Sequence, residues 1–429
     1  MNVYKEVIAH EVFPAMGCTE PISLAYAGSI AAEGIEEPFE KISFVVNQGT
    51  YKNGLAVTVP NTGGRKGNLI AGTLGCIIGD PSKKMEILSK VTEEQLALAG
   101  RLIEEKRASI KVHPRCTTFY VKVDMETAHH RSTCIIAGSH TNVVYLERDG
   151  RVLIDEKGNS CEHSHAPYKD ELSKLSIDDL ITLAEAIDEE DMRYLSEGVA
   201  MNLALSQEGV HIKKVGSYLL DLLTKGFLQN DVFSSTKILT SCAVDARMDG
   251  MAKPAMASGG SGNQGIVATL VPYNVGKHFS IDERTILKSI ALSHLLNAYV
   301  KVFIGELAPI CGCAIAAGIG ATAALVYQKN GRDLEGITTA INNMVSDIGG
   351  MICDGAKSGC AFKVVSSTDA AIRAAYLGIH HYGIDGLEGF VGHTAEETIR
   401  NLTRITEIGM EHMDETIVDI MKEKDRGKK

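Results

Sequence analysis

Four cysteines of the carboxyl-terminal half stand in two short glycine-bearing stretches, Pro309-Ile310-Cys311-Gly312-Cys313 and Cys353-Asp354-Gly355-Ala356-Lys357-Ser358-Gly359-Cys360. Thiolates are soft ligands, and the centres that suit them are zinc and iron–sulfur clusters. Between Cys353 and Cys360 lie six residues that include Gly355 and Gly359, so the chain can turn back and bring both sulfurs to one centre. Spacing alone does not choose the metal. The paired Cys-x-x-Cys knuckles of a structural zinc site are absent, which favours the cluster. The competing reading is a set of small apolar residues in a Gly/Ala-rich core, where a lone cysteine usually belongs. Cys311 and Cys313 are two apart, so on a helix their side chains point in nearly opposite directions and only one reaches the centre. If that one is Cys313, the protein supplies three ligands and leaves one iron open. A fully ligated cluster passes electrons, whereas an open iron can bind substrate as a Lewis acid.

A second candidate is the loop Ser258-Gly259-Gly260-Ser261-Gly262-Asn263-Gln264-Gly265, which precedes an apolar run. Successive backbone N–H groups in such a loop form a nest for a carboxylate or a phosphate, although glycine also serves any tight turn. Cys18, in Gly17-Cys18-Thr19-Glu20-Pro21, stands just before a helix. A helix N-terminus lowers a thiol's pKa, which would make Cys18 a reactive thiolate; the alternative is a structural cysteine. Lys357 lies between two of the ligand candidates, placed to neutralise cluster or substrate charge, or simply solvated. Cys161, His163 and His165 form a weak metal motif in a polar linker.

The elements that must position these residues follow from hydrophobic period. Val3 to Gly34 reads as two helices with a tight break between Pro14 and Pro21. From Lys41 to Asp155 short β-branched runs take over: Ile42–Val46, Ala56–Val59, Thr118–Val123 and Asn142–Leu146 are expected strands. A helix over Glu93–Arg107, opened by Thr92 and Gln95 as a capping box, lies among them. Beyond Tyr168 the helical period dominates, with further capped starts expected at Ser280/Glu283 and Thr394/Glu397, and a frayed charged tail over Lys422–Lys429. The expected class is α+β: an N-terminal helical segment (1–39) carrying Cys18, an inserted α+β subdomain (40–160), and a mainly helical catalytic domain (161–429).

Composition narrows the partners. Asp plus Glu outnumber Lys plus Arg by 54 to 43, a net charge of −11, and no basic run is interleaved with aromatics, so nucleic acid is not an expected partner. Leu307–Gln328 carries no charge over about the length of a bilayer, but it is dominated by Ala and Gly and reads as a buried, closely packed helix, with no membrane partner implied. Ten cysteines at irregular spacing and no apolar leader core fit a cytoplasmic protein with reduced thiols. A homo-oligomer is compatible with the sequence, which does not specify one.

In combination, Gly17-Cys18-Thr19-Glu20-Pro21, Ser258 to Gly265, Cys311-Gly312-Cys313 and Cys353 to Cys360 resemble the L-cysteine desulfidase family, related to the α subunit of iron–sulfur L-serine dehydratases. The likeness runs over nearly the whole chain. It implies a [4Fe–4S] cluster on Cys313, Cys353 and Cys360, with Cys311 a neighbour, and Cys18 as the active-site thiol. The implied reaction is that of a lyase converting L-cysteine and water to pyruvate, ammonia and hydrogen sulfide without pyridoxal phosphate. Without that electron sink the substrate's α-proton is weakly acidic, so the leaving sulfur must be activated while a base acts at the α-carbon. Cys18 is the expected base, and Ser258, Ser261, Gly262, Asn263, Gln264 and Lys357 the expected substrate-binding residues. The rival expectations are an L-serine dehydratase, an iron–sulfur redox or sensor protein, and a pyridoxal-phosphate lyase using the glycine loop as its phosphate cup.

Overall fold

The computed structural model describes residues 2–113, 116, 118–156, 166–305 and 307–426. The weak Cys161/His163/His165 motif lies outside them. The strands, in chain order, are β1 Pro14–Met16, β2 Lys41–Val46, β3 Ala108–Val112, β4 Tyr120–Glu126, β5 Arg131–Ala137, β6 Val143–Arg148, β7 Arg151–Asp155 and β8 Pro254–Met256.

Six of these form a mixed sheet in the order β3-β2-β4-β5-β6-β7, parallel only between β2 and β3. Alternation explains the central pair: Ile42, Phe44 and Val46 of β2 are buried, and Phe44 stands opposite Val123 of β4. The helices Thr19–Ala32 and Asn68–Ile78 cover this face, so Leu24, Ala27 and Cys76 share one core with Phe44, Val121 and Ile136. Each large apolar side chain removed from water here stabilises the fold by about 1.5–3 kcal/mol.

Ala56–Val59 is not a strand. It follows directly on the helix Gln48–Gly54 and runs into Pro60, and its pairing is an isolated bridge from Thr58 to Lys66. Pro60 has no N–H to continue a ladder. The Thr92/Gln95 capping box opens Glu93–Glu104 as expected, and Thr394 caps Ala395–Arg404 by accepting from the Glu397 N–H. Ser280 does not cap. It sits at φ +56, and Asp282 caps the next helix by accepting from the Thr285 N–H. Of the stretch expected to fray, Lys422–Arg426 continues the helix Met413–Arg426, and residues 427–429 lie outside those described.

The second core is helical. It packs Val232–Met248, Gly262–His278, Glu283–Ile304, Ala316–Asn330, Leu334–Ile348 and Cys360–Ile379 around side chains such as Leu270, Leu295, Tyr299, Ile319 and Met344. The helix expected over Leu307–Gln328 begins only at Ala316, the stretch before it being turn and bridge; from Ala316 to Gln328 every residue is buried, as the Ala/Gly composition implied. Glu283–Ile304 is long and apolar enough to cross a membrane, but 83% of its apolar window is buried inside the fold. The architecture is α+β.

The N-terminal segment divides between the two cores. Tyr4 and Val7 of the helix Val3–Glu11 join the helical core, while Leu24 and Ala27 of Thr19–Ala32 join the sheet core. Between them β1 pairs antiparallel with β8, Ala15 facing Ala255. Two further backbone bonds extend this junction, from Ala257 N–H to the Phe13 carbonyl at 2.9 Å and from Gly260 N–H to the Glu11 carbonyl at 3.2 Å. This small ladder carries Cys18 to the glycine loop.

Candidate active site

The two cysteine stretches are locked together by backbone. Ile310 and Ile352 form an antiparallel bridge; the Cys311 N–H donates to the Met351 carbonyl at 2.8 Å and the Cys353 N–H to the Pro309 carbonyl at 2.7 Å. Cys360 then opens the helix Cys360–Ile379. Gly355 turns between them at φ +91, and a Cβ there would lie 2.5 Å from the Lys52 carbonyl oxygen, so only glycine lets this loop lie on the helix Gln48–Gly54.

One small cavity is lined by Cys18, Glu20, Asn53, Arg247, Ser261, Asn263, Gln264, Cys311, Cys313, Cys353 and Cys360. Residues separated by more than three hundred positions therefore meet, and Cys18 shares the space with all four carboxyl-terminal thiols. A larger cavity of about 550 Å³ shares Lys301, Ile304, Gly305, Leu307 and Ala308 with it.

The expectation that Cys311 and Cys313 diverge does not hold. It assumed a helix, but Cys311–Cys313 is a turn and the helix begins only at Ala316. The two thiols instead hydrogen-bond each other, which acts to lower the pKa of Cys311 and to raise that of Cys313. Burial raises the pKa of Cys353 and pushes that of Cys360 up to about 12.

Cys18 occupies the N-cap position of Thr19–Ala32, as the sequence implied, but it is not a low-pKa thiolate. Burial, and then the Glu20 carboxylate, push its pKa well above the ordinary value, overriding the helix end and Arg247. Its Sγ donates to Glu20 Oε2 at 2.8 Å. Burial also acts to raise the pKa of Glu20, but His140, the Cys18 thiol and Asn53 together lower it and keep the carboxylate ionised. Asn53 donates from Nδ2 to Glu20 Oε1 at 2.9 Å, and its Oδ1 lies 3.9 Å from Cys353 Sγ. A polar chain thus runs from Cys18 through Glu20 and Asn53 to the cysteine loop. Glu20 and Asn53 carried no signal of their own beyond Glu20's place two residues after Cys18.

The glycine loop is held from behind. Ser258 is buried and faces away from the cavity; its Oγ lies 2.8 Å from His294 Nδ1 and accepts from Asn297 Nδ2 at 2.9 Å. Lys301 Nζ donates to the Gly259 carbonyl. His294, Asn297 and Lys301 are spaced three and four apart on Glu283–Ile304, so one helix face grips the loop. Ser261, Asn263 and Gln264 line the cavity. Lys357 does not. It pairs with Asp354 and lines a separate cavity beside Lys66 and Lys214, while Lys363 faces the thiols and acts to lower the Cys311 pKa.

The donor set fits a cluster. The nine described cysteines are all free, five of them, Cys18 and the four carboxyl-terminal ones, line one cavity, and the loops of the latter four are fixed by backbone bonds. Among the described residues no three His, Cys, Asp or Glu side chains meet around a single ion's position; a cubane instead takes each thiolate at a different iron.

The serine dehydratase alpha chain family matches residues 82–419. The chain is 54% identical over 424 residues to a UPF0597 protein of Elusimicrobium minutum, covering 99% of this chain and 100% of the relative. It is 53% identical to a UPF0597 protein of Geobacter sulfurreducens, over 99% of both chains, and 37% identical to one of Clostridium tetani, over 97% of both. The chain belongs to the serine dehydratase alpha-chain family, and that membership supports a dehydratase or lyase type of role.

Proposed function

We propose that this protein is an L-cysteine desulfidase that eliminates sulfide from L-cysteine at a [4Fe–4S] cluster held by Cys313, Cys353 and Cys360, working in the cytoplasm. The observation that carries the reading is the single cavity that unites those thiols, the Cys18–Glu20 pair and the loop 258–265. When bound, the cluster would supply Lewis acidity to the leaving group. The protein's own residues do the proton work. Cys18 and Glu20 together hold one proton and one negative charge, so the pair can accept the substrate's α-proton. The bond from carbon to the leaving sulfur then breaks, and the enamine released tautomerises and hydrolyses to pyruvate and ammonia. Asn53 keeps the carboxylate turned toward Cys18, and burial excludes bulk water from the pair.

The thiols favour this reading over a pyridoxal-phosphate lyase, and the Cys18–Glu20 pair beside them favours it over a redox or sensor module, which needs no proton acceptor. An L-serine dehydratase uses the same residues with hydroxide leaving, and the family description favours that alternative. The test is anaerobic purification with iron and acid-labile sulfide analysis, followed by pyruvate and sulfide assays with L-cysteine and with L-serine. Iron and sulfide in the protein, with sulfide and pyruvate formed from L-cysteine, are expected. Turnover of L-serine alone would make it the dehydratase, and a metal-free protein with full activity would end the cluster proposal. Serine at Cys360 should abolish iron retention, whereas Cys18→Ser should keep the iron and lose turnover by at least about a hundredfold.

A further inference from the structure

Arg247 is absent from the motifs that identify the site, yet it is 2% exposed and lines the cavity. Its Nη1 donates to Asn263 Oδ1 at 3.0 Å. Its Nε and Nη2 are buried and have no hydrogen-bond partner among the described residues. Burying a guanidinium this way costs free energy that a protein ordinarily offsets with a carboxylate, and Glu20, the one carboxylate on the cavity wall among the described residues, is already taken by Cys18, Thr19 and Asn53.

The guanidinium lies against the start of the helix Gly262–His278. Ser261, its N-cap, makes no side-chain bond to the first turn, so the helix presents free N–H groups and the positive end of its dipole there. A Cβ at Gly262 would stand 2.3 Å from Arg247 Nε, so glycine is what admits the arginine to this spot. Asn263 is turned to Arg247 and, through Nδ2, to Met248 Sδ at 3.6 Å. It orients the guanidinium. Gln264 Oε1, also buried and without a partner among the described residues, is an acceptor beside this cationic corner, of the kind an ammonium group needs.

We propose that Arg247, with the N-terminus of the Gly262–His278 helix, is the receptor for the α-carboxylate of an amino-acid substrate, Asn263 being its positioning residue. The inference rests on the reading of this cavity as an amino-acid site, and it adds a substrate rule: ligands must carry a free carboxylate. Planar guanidinium matches a carboxylate two bonds at a time, which fixes the α-carbon relative to Cys18 and Glu20.

The test uses the full-length protein and L-alanine, an amino acid with no leaving group, followed by calorimetry. L-Alanine should bind and L-alaninamide should bind at least about tenfold more weakly. Arg247→Lys and Gly262→Ala, the second of which keeps the charge but displaces it, should each weaken L-alanine about 10- to 100-fold. Equal binding of the amide and the acid to the unaltered protein overturns the proposal without depending on any variant's folding. So does inorganic phosphate binding as tightly as L-alanine, or an Arg247→Lys protein that loses iron but binds L-alanine normally, which would assign the guanidinium to the cluster. Iron content and sulfide release are read separately, so a failure of the lyase reading is told apart from a failure of this one.

Discussion

Replacing His294 by Gln tests the grip on the glycine loop through its pH dependence. His294 is buried beneath Ser258, and burial alone depresses its pKa from 6.5 to about 4. Between those values the unfolded chain binds a proton that the folded chain refuses, so stability is full above about pH 6.5 and falls as pH drops toward about 4. A depression of about 2.5 at 1.36 kcal/mol per pH unit makes the loss about 3 kcal/mol from this one ring. Glutamine can keep a hydrogen bond to Ser258 but does not titrate. Urea unfolding followed by circular dichroism at pH 7, 5.5 and 4, for both proteins, isolates the difference, since all other titrating groups are the same in each. The variant should start weaker at pH 7 and lose about 3 kcal/mol less on acidification. Parallel pH profiles would refute the claim that a neutral, dry imidazole supports the loop.

Gly355→Ala places a Cβ at φ +91 and 2.5 Å from the Lys52 carbonyl; it should cost about 2–4 kcal/mol and lower iron retention, read by thermal melts and metal analysis. Lys52, with a side chain 1% exposed, pairs with Asp414 at 2.6 Å. Asp414→Asn should destabilise by about 3–5 kcal/mol by stranding that charge, and the double change Lys52→Met with Asp414→Leu should recover most of the loss in the same melts.

The convergence of the thiol stretches was legible because glycine-flanked cysteines in two loops leave the chain free to turn their sulfurs to one place, and the four do line one cavity. Cys18 was legible as a helix-end thiol, but its protonation was not, because burial and the Glu20 contact are tertiary facts. The helical reading of Cys311 and Cys313 failed because periodicity extends an expected helix through a turn. Ala56–Val59 failed as a strand for a related reason, since an alternating run does not show whether a partner strand lies beside it. β3, β5 and β7 were missed where charged or small residues interrupt the β-branched pattern, as in Arg131-Ser132-Thr133-Cys134. Arg247 left a faint trace: it falls on the face of Thr240, Ala243 and Val244, all buried, at the three-and-four spacing that marks a core stripe. A charge on such a stripe is a question that sequence poses and only packing answers.

The bridge between Ile310 and Ile352 has a biosynthetic corollary. Until the ribosome has delivered the chain past Cys360, the sulfurs contributed earlier have nothing to close against, and the strand pairing of Ala15 with Ala255 must also have formed for Cys18 to face them. On the cluster reading proposed above, a growing polypeptide offers iron no finished nest, and an inorganic core would be received only after Cys360 has emerged and both pairings have formed.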